Sequence, residues 1–511
     1  MWCMEMYYLI RCSQVCLICV AVLPLLGSDA ASQMIEVAKL QAGDRQPNGG
    51  FGVSVSMSLD RALIGAVGTD GFGAAYVFER EEGGTWTQVT RLMASDGEAG
   101  DDFAMVSLSG DRAIVGALNE DSGGSSAGAA YIFERDGTGT WSEVTKLLAS
   151  DSRAGEQFGA SVSISGDRAI VGVTSEGSGG TDTGSAYVFE RRAGGTWSEV
   201  ETLRASDMHS GDGFGASVSI RGERAIVGAV GMDGSGAAYV FERHGSGVWA
   251  EVAKLHASDG EANDAFGTSV SLGADRAIVG APFEDTGGAN AGAAYIFERD
   301  GGGTWTETVR LLASDRETMD WFGLAVSILD HRAMVTALFE DEGGAEAGAA
   351  YLFERDGQGP WLEVAKLMPR DPEAGDWFGA SIALGPDHAM VGAPLEDTGG
   401  VDAGAAYMFE PLGVGVDIAR DQFPSEISLA QNYPNPFNPL TTISFALPEA
   451  VDVSLSVFDV LSRKIRVLVS GSQPAGTHTV SFDASGLSSG IYVYRLDVGD
   501  LSETKRMVVL R

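Results

Sequence analysis

Adjacent acidic residues recur in the sequence within the motif Glu-Asp-x-Gly-Gly. Carboxylate oxygens on glycine-rich turns are the hard ligands that Ca²⁺ prefers, so the motif marks a candidate calcium site. The motif is equally suited to a solvated turn, because Asp and Gly each favour turn conformations. Both interpretations apply to four pairs, which are Glu120/Asp121, Glu284/Asp285, Glu340/Asp341 and Glu396/Asp397. Additional ligands are offered by aspartates just before a recurring Phe, namely Asp102, Asp264, Asp320 and Asp376.

Two tryptophans, Trp321 and Trp377, occupy equivalent positions in consecutive repeats of the sequence. The position accepts very different residues elsewhere, which indicates that it is exposed; the other repeats carry Gly50, Asp102, Gln157, Gly213 and Ala265. Two exposed indole rings predict a platform that stacks on a sugar or on a partner protein. The alternative is that both rings pack inside the fold, as most Trp residues do.

Catalytic chemistry has little support in the sequence. The histidines are scattered and form no metal-binding or nucleophile motif; they are His209, His244, His256, His331, His388 and His478. A catalytic repeat would also carry polar residues of its own, whereas the repeats stay nearly uniform. We therefore predict that the protein is not an enzyme. A secreted polysaccharide-active hydrolase or lyase, with loop carboxylates as its acid and base, is the alternative.

These residues lie in seven repeats whose register is set by a phenylalanine every 52 to 56 residues. The phenylalanines are Phe51, Phe103, Phe158, Phe214, Phe266, Phe322 and Phe378. Each repeat has four short apolar runs separated by Gly, Ser and Asp, such as FGASVSI, RAIVG, SAYVFE and WSEVETL. Such runs predict strands, and the short links between them predict antiparallel four-stranded sheets. Seven of these sheets arranged radially make a β-propeller.

One strand is missing from the seventh repeat and is present before the first. The first six repeats each end in a strand that begins with Trp, whereas the seventh passes into PLGVGVDIARDQ after Phe409. Residues 35–40 read IEVAKL, with Met34 at the Trp position. We predict that this strand completes the seventh sheet and closes the ring. An open solenoid, which would not need the strand, is the alternative.

Loop lengths and charges single out one face of the predicted propeller. Alternate links of an antiparallel sheet emerge on the same side, and here the link between the second and third strands and the link into the next repeat are the acidic ones. From the end of the second strand to the Gly that opens the third is 12 residues in five repeats and 8 in the first and fourth. Elaborate loops on a rigid scaffold predict a binding face.

Composition limits the partners and the compartment. The 511 residues carry a formal net charge of −37, which repels polyanions, so we predict no nucleic acid partner. An apolar run at 15–26 followed by small residues predicts a signal peptide at 1–30, and all four cysteines fall within it. The mature chain is therefore expected to lack disulfides. It also has no predicted membrane span, because no other segment is long and apolar enough.

The motifs FG, GAAYVFER and W, which recur in this order, resemble the FG-GAP repeats that also build the propeller of integrin α-chains, in their bacterial variety. The resemblance covers approximately residues 34–410 and implies a seven-bladed propeller. Integrin-type blades that bind calcium carry D-x-D-x-D-G between the first two strands, whereas this sequence has SGDR or GADR there. The resemblance therefore implies no calcium site at that link.

The C-terminal segment, residues 427–511, has a different pattern, with alternating strands that predict an immunoglobulin-like β-sandwich. Its motifs NYPNPFNP, VFDVLSRK, AGTH, LSSGIYVYRL and KRMVVL resemble the type A sorting domain of the type IX secretion system. The resemblance implies that the secretion machinery recognises this domain and exports the protein across the outer membrane. An ordinary immunoglobulin-like binding domain is the alternative.

These expectations divide the chain into a signal peptide (1–30), an all-β, seven-bladed propeller (33–411), a linker (412–426) and a sorting domain (427–511). The predicted protein is secreted or held on the outside of the outer membrane. There the propeller binds a protein or a glycan through its acidic face, with calcium as a candidate cofactor. A passive surface-layer component without a discrete ligand is a further alternative.

Overall fold

A computed structural model describes the propeller region and most of the C-terminal segment. The described residues are 34–411, except 69–70, 82, 175–182, 208, 232–233, 246 and 358, together with 428–429, 432, 435, 437–447, 451–459, 463–473, 476–498 and 501–509. The predicted signal peptide and linker lie outside these ranges. Contacts divide the chain into two units, with the boundary between Leu412 and Gly413.

Every regular element in the described residues is a strand. The strands are β1 (Met34–Leu40), β2 (Ser54–Ser58), β3 (Arg61–Ala66), β4 (Ala74–Arg80), β5 (Trp86–Leu92), β6 (Phe103–Ser109), β7 (Arg112–Ala117), β8 (Ala129–Arg135), β9 (Trp141–Leu147), β10 (Ser161–Ser165), β11 (Arg168–Val173), β12 (Ser185–Arg191), β13 (Trp197–Leu203), β14 (Phe214–Arg221), β15 (Arg224–Ala229), β16 (Ala237–Arg243), β17 (Trp249–Leu255), β18 (Ser269–Leu272), β19 (Arg276–Ala281), β20 (Ala293–Arg299), β21 (Trp305–Leu311), β22 (Phe322–Leu329), β23 (Arg332–Ala337), β24 (Ala349–Arg355), β25 (Trp361–Leu367), β26 (Ser381–Leu384), β27 (Ala389–Ala393), β28 (Ala405–Pro411), β29 (Ser428–Leu429), β30 (Leu440–Leu447), β31 (Val451–Phe458), β32 (Lys464–Gln473), β33 (Gly476–Asp483), β34 (Gly490–Val498) and β35 (Leu501–Val509).

Strands β1 to β28 form seven antiparallel four-stranded sheets, which confirms the predicted seven-bladed architecture. Blades 1 to 6 are consecutive meanders: β2–β5, β6–β9, β10–β13, β14–β17, β18–β21 and β22–β25. The second and third strands of a blade are buried along almost their whole length. Their near-continuous apolar sequences, RAIVGA and AAYVFER, suit strands that are covered on both faces by neighbouring sheets.

The seventh blade contains three strands from the end of the repeat region and β1 from its beginning, in the order β1-β28-β27-β26. Strand β1 pairs antiparallel with β28, which places Lys39 opposite Tyr407 and Leu40 opposite Ala406. Met34, at the Trp position of the other blades, is buried. The predicted pairing of the N-terminal strand with the last blade is therefore present.

Side chains of β1 reproduce the contacts that fourth strands make elsewhere. The ammonium of Lys39 lies 5.3 Å from the ring centre of Tyr407 and 2.7 Å from carboxylate oxygens of Asp371 and Glu396. In blade 2 the same set is formed by Lys146 with Tyr131, Asp96 and Glu120. Strand β1 thus supplies ion pairs as well as a hydrogen-bond ladder to blade 7.

The first strand of each blade lies nearest the axis, because successive blades contact one another mainly through these strands. Small residues there allow the close approach that the sequence predicts, and their hydroxyls also bond the next blade. The Ser161 hydroxyl donates to the carbonyl oxygen of Gly215 in blade 4 at 2.8 Å. At the junction of blades 7 and 1, Ser381 makes the same bond to Gly52 at 2.7 Å.

Each outermost strand carries a β-bulge. In blade 2, Glu143 pairs with Phe133 and Thr145 with Ile132, which leaves Val144 between them unpaired. The same irregularity occurs in all seven blades, including between β1 and β28. Because a bulge disrupts the regular edge, it opposes pairing with a strand of another molecule.

The C-terminal unit has two antiparallel sheets, in the orders β29-β30-β33 and β32-β31-β34-β35. Side chains from both sheets share one apolar core, which includes Phe445, Leu455 and Tyr494. This is the expected compact β-sandwich. In the described part of the chain, no helix has the length and apolar character needed to cross a membrane.

Candidate functional site

The two faces of the propeller use their charges differently. We define the upper face as the one that carries the links between the second and third strands and the links between blades; the opposite face is the lower face. On the lower face, Glu79 of blade 1 contacts Arg61 of its own blade at 3.0 Å and Arg135 of blade 2 at 3.1 Å. Between blades 7 and 1, Glu410 contacts Arg80 and His388, both at 2.8 Å. Carboxylates and guanidinium groups therefore alternate around this face.

On the upper face, the glutamates of the Glu-Asp-x-Gly-Gly motif are buried and paired. One oxygen of Glu120 accepts the backbone N–H of Ser122 at 2.9 Å and lies 2.7 Å from the Lys146 ammonium. The other predicted glutamates, Glu284, Glu340 and Glu396, pair in the same way with Arg310, Lys366 and Lys39. These carboxylates hold their turns against the outermost strand of the blade.

The aspartates of the motif close the same turns. A carboxylate oxygen of Asp121 accepts the N–H of Ser126 at 2.7 Å. Asp285, Asp341 and Asp397 accept the equivalent N–H groups of Asn290, Glu346 and Asp402. The four predicted pairs lie in four different blades, 2, 5, 6 and 7, each in its own loop. This is the turn role that the sequence also allowed.

Within the described residues, one group of carboxylates, Asp315, Glu340 and Glu342, meets the spacing of metal ligands. The ammonium of Lys366 lies among them, at 2.6, 2.8 and 2.7 Å from the three oxygens. Burial is the largest single influence on the pKa of Lys366 and would lower it, but the hydrogen bonds and charges of the three acids together raise it. The ammonium of Lys366 thus occupies the position in which a metal ion would sit. Calcium binding by the other predicted carboxylates stays a prediction from the sequence.

The aspartates before the recurring Phe are buried between two loops. The residue equivalent to Asp264, Asp320 and Asp376 is Asp101 and not the predicted Asp102. Each of these four carboxylates accepts the backbone N–H of the residue three positions earlier. Burial, with the nearby carboxylate of Glu340, raises the pKa of Asp320 to about 6. Burial and Glu396 raise the pKa of Asp376 to about 6.

These shifts predict a pH effect on stability. The folded state favours the protonated form of Asp320 and Asp376, so their stabilising contribution is present below about pH 4 and is lost as the pH rises through about 6. The double variant Asp320→Asn/Asp376→Asn stays neutral at both pH values. We expect the difference in unfolding free energy, variant minus wild type, to increase by on the order of 1–3 kcal/mol from pH 4.5 to pH 7. Urea unfolding at both pH values measures this gain, and an equal difference at both would contradict the assignment.

Two positions that recur in the blades border the axis on the upper face, and the described residues at these positions form what we call the mouth ring. The first residue immediately precedes the recurring Phe and has a left-handed φ of +55° to +60° in every blade. The second residue comes two positions after the end of the blade's second strand. Its backbone N–H donates to a carbonyl oxygen in the link that enters the same blade, as Phe339 donates to Asp320 at 3.2 Å. In chain order, the described members are Gly50 and Gly68, Asp102 and Asn119, Gln157, Gly213 and Gly231, Ala265 and Phe283, Trp321 and Phe339, and Trp377 and Leu395.

Both predicted tryptophans belong to an aromatic row in the mouth ring. The ring of Trp321 lies edge-on between Phe283 and Phe339, with centroid distances of 4.9 and 4.5 Å. Phe339 in turn contacts Trp377 at 6.1 Å. We call these four residues the aromatic arc; they come from blades 5, 6 and 7. Both Trp residues are half-buried: each is partly exposed and partly packed in the fold, so neither of the two alternatives from the sequence applies alone.

The opposite part of the mouth ring is polar. The Asn119 amide donates to a carboxylate oxygen of Asp102 at 2.7 Å, and Gln157 approaches Asn119 at 3.5 Å. Burial is the main cause that raises the pKa of Asp102, and Asp101 adds to it. We call Asp102, Asn119 and Gln157 the polar arc; all three are half-exposed.

Sequence reasoning found part of the mouth ring and missed the rest. Trp321 and Trp377 were recognisable because one repeat position changes from Gly to Trp while its neighbours stay constant. Phe283, Phe339 and Asn119 show the same signal at a second variable position, two residues after RAIVGA or its equivalent. That position lies about 18 residues from the first in the sequence, and only the packed loops show that the two are adjacent.

Family models recognise both units of the chain. The FG-GAP repeat model matches residues 34–78, 86–133, 141–189, 197–241, 249–297, 305–353 and 361–409. The model of the secretion system C-terminal sorting domain matches residues 431–510. No curated protein sequence matches the chain.

Solved structures with similar folds have low sequence identity. PorZ, a surface component of the type IX secretion system of Porphyromonas gingivalis, is 14% identical with a TM-score of 0.46, and the match covers 92% of this chain and 61% of that one. An ulvan lyase of polysaccharide lyase family PL25 is 11% identical with a TM-score of 0.44, covering 74% and 95%. Trypanosoma rangeli sialidase is 9% identical with a TM-score of 0.37, covering 92% and 89%. The chain thus spans less than two thirds of PorZ, and these similarities concern the fold alone.

The C-terminal match decides where the protein goes. A type IX sorting domain directs its carrier to the cell surface or the extracellular space, so the protein is a secreted surface protein. The repeat matches cover most of the chain and coincide with the seven blades. The chain therefore belongs to the FG-GAP repeat family and ends in a type IX secretion sorting domain.

Proposed function

We propose that this secreted surface protein binds a neutral carbohydrate at the mouth ring on the upper face of its propeller. The observation that carries the proposal is the aromatic arc, in which four large rings from three consecutive blades form one row beside the axis. Aromatic faces stack on the apolar faces of sugar rings, and the amide and carboxylate groups of the polar arc offer hydrogen bonds to hydroxyls.

Backbone conformation adds a second argument for a role in binding. Trp321 and Trp377 have φ values of +56° and +57°, a region that costs a non-glycine residue on the order of 1 kcal/mol or more. Blades 1 and 4 avoid this cost with Gly50 and Gly213 at the same position. Because glycine suits the backbone better, the two tryptophans are best explained by what their side chains contact.

Charge favours a neutral ligand over an acidic one. The chain carries a net charge of −37, and the arginines of the lower face are already paired with glutamates. Sulfated or uronic acid polymers would approach a surface of their own sign, which slows their association. Neutral polysaccharides meet no such barrier.

The mouth ring favours binding over catalysis. Among its described members, Asp102 is the single carboxylate, whereas glycoside hydrolysis ordinarily uses two carboxylates on either side of the scissile bond. We therefore propose a binding function and not the polysaccharide-active enzyme that the sequence leaves as an alternative.

Replacement of the tryptophans by glycine tests the proposal. Trp321→Gly/Trp377→Gly removes both indoles and places at each position the residue that blades 1 and 4 use there. We expect loss of affinity by about 2 kcal/mol or more, roughly 30-fold, because stacked aromatic anchors dominate such sites. Binding is measured by isothermal titration and affinity electrophoresis with hydroxyethylcellulose, laminarin, galactomannan and xyloglucan.

The control is Leu362→Ala, which removes an exposed apolar side chain from β25 in blade 6, away from the mouth ring. We expect this variant to bind like wild type. The proposal fails if wild type binds none of the four polysaccharides, if it prefers alginate or dextran sulfate, or if the double variant binds as well as wild type.

A further inference from the structure

Met319 lies in the link between blades 5 and 6, two residues before Trp321 of the aromatic arc. This link runs from the outermost strand of blade 5 to the first strand of blade 6, so Met319 is farther from the axis than Trp321. The link and the long loops on either side of it lie entirely within the described residues. Met319 is thus the next large apolar side chain outward from the arc along this link.

The backbone at this position is suited to glycine. The residue three places before the recurring Phe has a left-handed φ, between +59° and +97°, in every blade. Gly and Asn adopt this conformation most readily, whereas a long side chain is strained in it. Met319, at φ +74°, is the single residue of another type among the seven. In chain order they are Asn48, Gly100, Gly155, Gly211, Asn263, Met319 and Gly375.

Burial does not explain the methionine either. Met319 is 47% exposed, so folding removes only part of its apolar surface from water. Neither the backbone nor the core therefore favours Met at this position. As with Trp321 and Trp377, the residue is best explained by a contact that its side chain makes with a ligand.

The side chain of Met319 is nevertheless held in place. The Asn290 amide donates to its sulfur at 3.3 Å, and the backbone N–H of Met319 donates to the carbonyl oxygen of Ala289 at 2.9 Å. Trp321 is anchored to the same loop of blade 5, because its N–H donates to the carbonyl oxygen of Asn290 at 3.2 Å. One loop thus fixes both the thioether and the indole, so little freedom is lost when a ligand binds them.

We propose that Met319 is a further ligand contact, which extends the carbohydrate site from the aromatic arc outward along the link between blades 5 and 6. The inference rests on the proposed function and adds the direction in which the ligand leaves the mouth. A thioether is apolar and polarisable, so it packs against the C–H groups of a sugar ring. The ligand is then a chain of several sugar residues, part of which lies on the arc and part over Met319.

Met319→Gly tests the contact, because it removes the side chain and introduces the residue that the links into blades 2, 3, 4 and 7 carry there. The matched control is Asn263→Gly, at the equivalent position of the link into blade 5, which has φ +75° and is also exposed. Met319→Leu keeps an apolar side chain, and Leu is compatible with a left-handed backbone, since Leu59 has φ +53°. The ligand is whichever of hydroxyethylcellulose, laminarin, galactomannan and xyloglucan wild type binds most tightly.

We expect Met319→Gly to weaken binding by about threefold or more, while Met319→Leu and Asn263→Gly stay within about twofold of wild type. The melting temperature of Met319→Gly should not fall, because glycine relieves the left-handed strain; weaker binding with a lower melting temperature would assign Met319 a structural role instead. A smaller loss of affinity for Met319→Gly, or an equal loss for either of the other variants, overturns the inference. If Trp321→Gly/Trp377→Gly has lost binding in the same assay, the aromatic site stands without this extension.

Discussion

Deletion of residues 33–44 is expected to unfold blade 7 and to lower the melting temperature of the propeller by roughly 5–10 °C. The deletion removes the ladder between β1 and β28, the buried side chains of Met34 and Leu40, and the ion pairs of Lys39 with Asp371 and Glu396. It also exposes the edge of β28, an apolar strand that is buried in the intact blade. Thermal unfolding followed by circular dichroism measures the change.

A deletion of equal length controls for the shortened chain. Residues 413–424 belong to the predicted linker and contain none of the strands β1 to β28, so their removal leaves every blade strand in place. We expect this second deletion to shift the melting temperature by less than about 2 °C. A synthetic peptide of residues 33–44, added in excess, should restore part of the loss by mass action. Equal melting temperatures for the two deletions would show that β1 adds little to the ring.

The second large effect concerns the packing between blades. Gly280 lies in β19, and a Cβ atom there would stand 1.9 Å from the carbonyl oxygen of Gly323 in blade 6 and 2.4 Å from the Ser269 hydroxyl. Gly280→Thr is therefore expected to destabilise the protein by about 3 kcal/mol or more, because neither backbone can give way without disturbing a whole sheet. Urea unfolding gives the difference. Gly245→Thr, at an open surface position, is the control.

Blade 6 shows how the molecule accommodates a larger residue at this place. Its second strand carries Thr336 where the other blades have glycine, and its first strand carries Ala325 where most have serine. The Thr336 hydroxyl accepts the N–H of Ala325 at 3.1 Å, so the polar group has moved from one strand to the other. Addition of Ser269→Ala to Gly280→Thr should therefore recover about 1 kcal/mol. Strict additivity of the two changes would contradict this explanation.

The candidate site shows where sequence reasoning reaches its limit. The Glu-Asp pairs have ligand chemistry, but the role of three of the four glutamates depends on a Lys or Arg 26 residues later in the chain, such as Lys146 for Glu120, and that of Glu396 on Lys39 of β1. That partner is part of the W-x-E-V-x-K-L motif and lies on the adjacent outer strand. Residue types indicated an affinity for a cation, and the fold supplies the cation from the protein itself.

By itself, the sequence determined the repeat number, the strands, the pairing of β1 with the last blade and the sorting domain. These features are local or periodic: they depend on alternation within short runs and on motifs that recur at a constant interval. Tertiary structure alone decided which variable positions meet. Phe283, Trp321, Phe339 and Trp377 form one row only because the blades are arranged in a ring, which brings equivalent loops about 56 residues apart into contact around one axis.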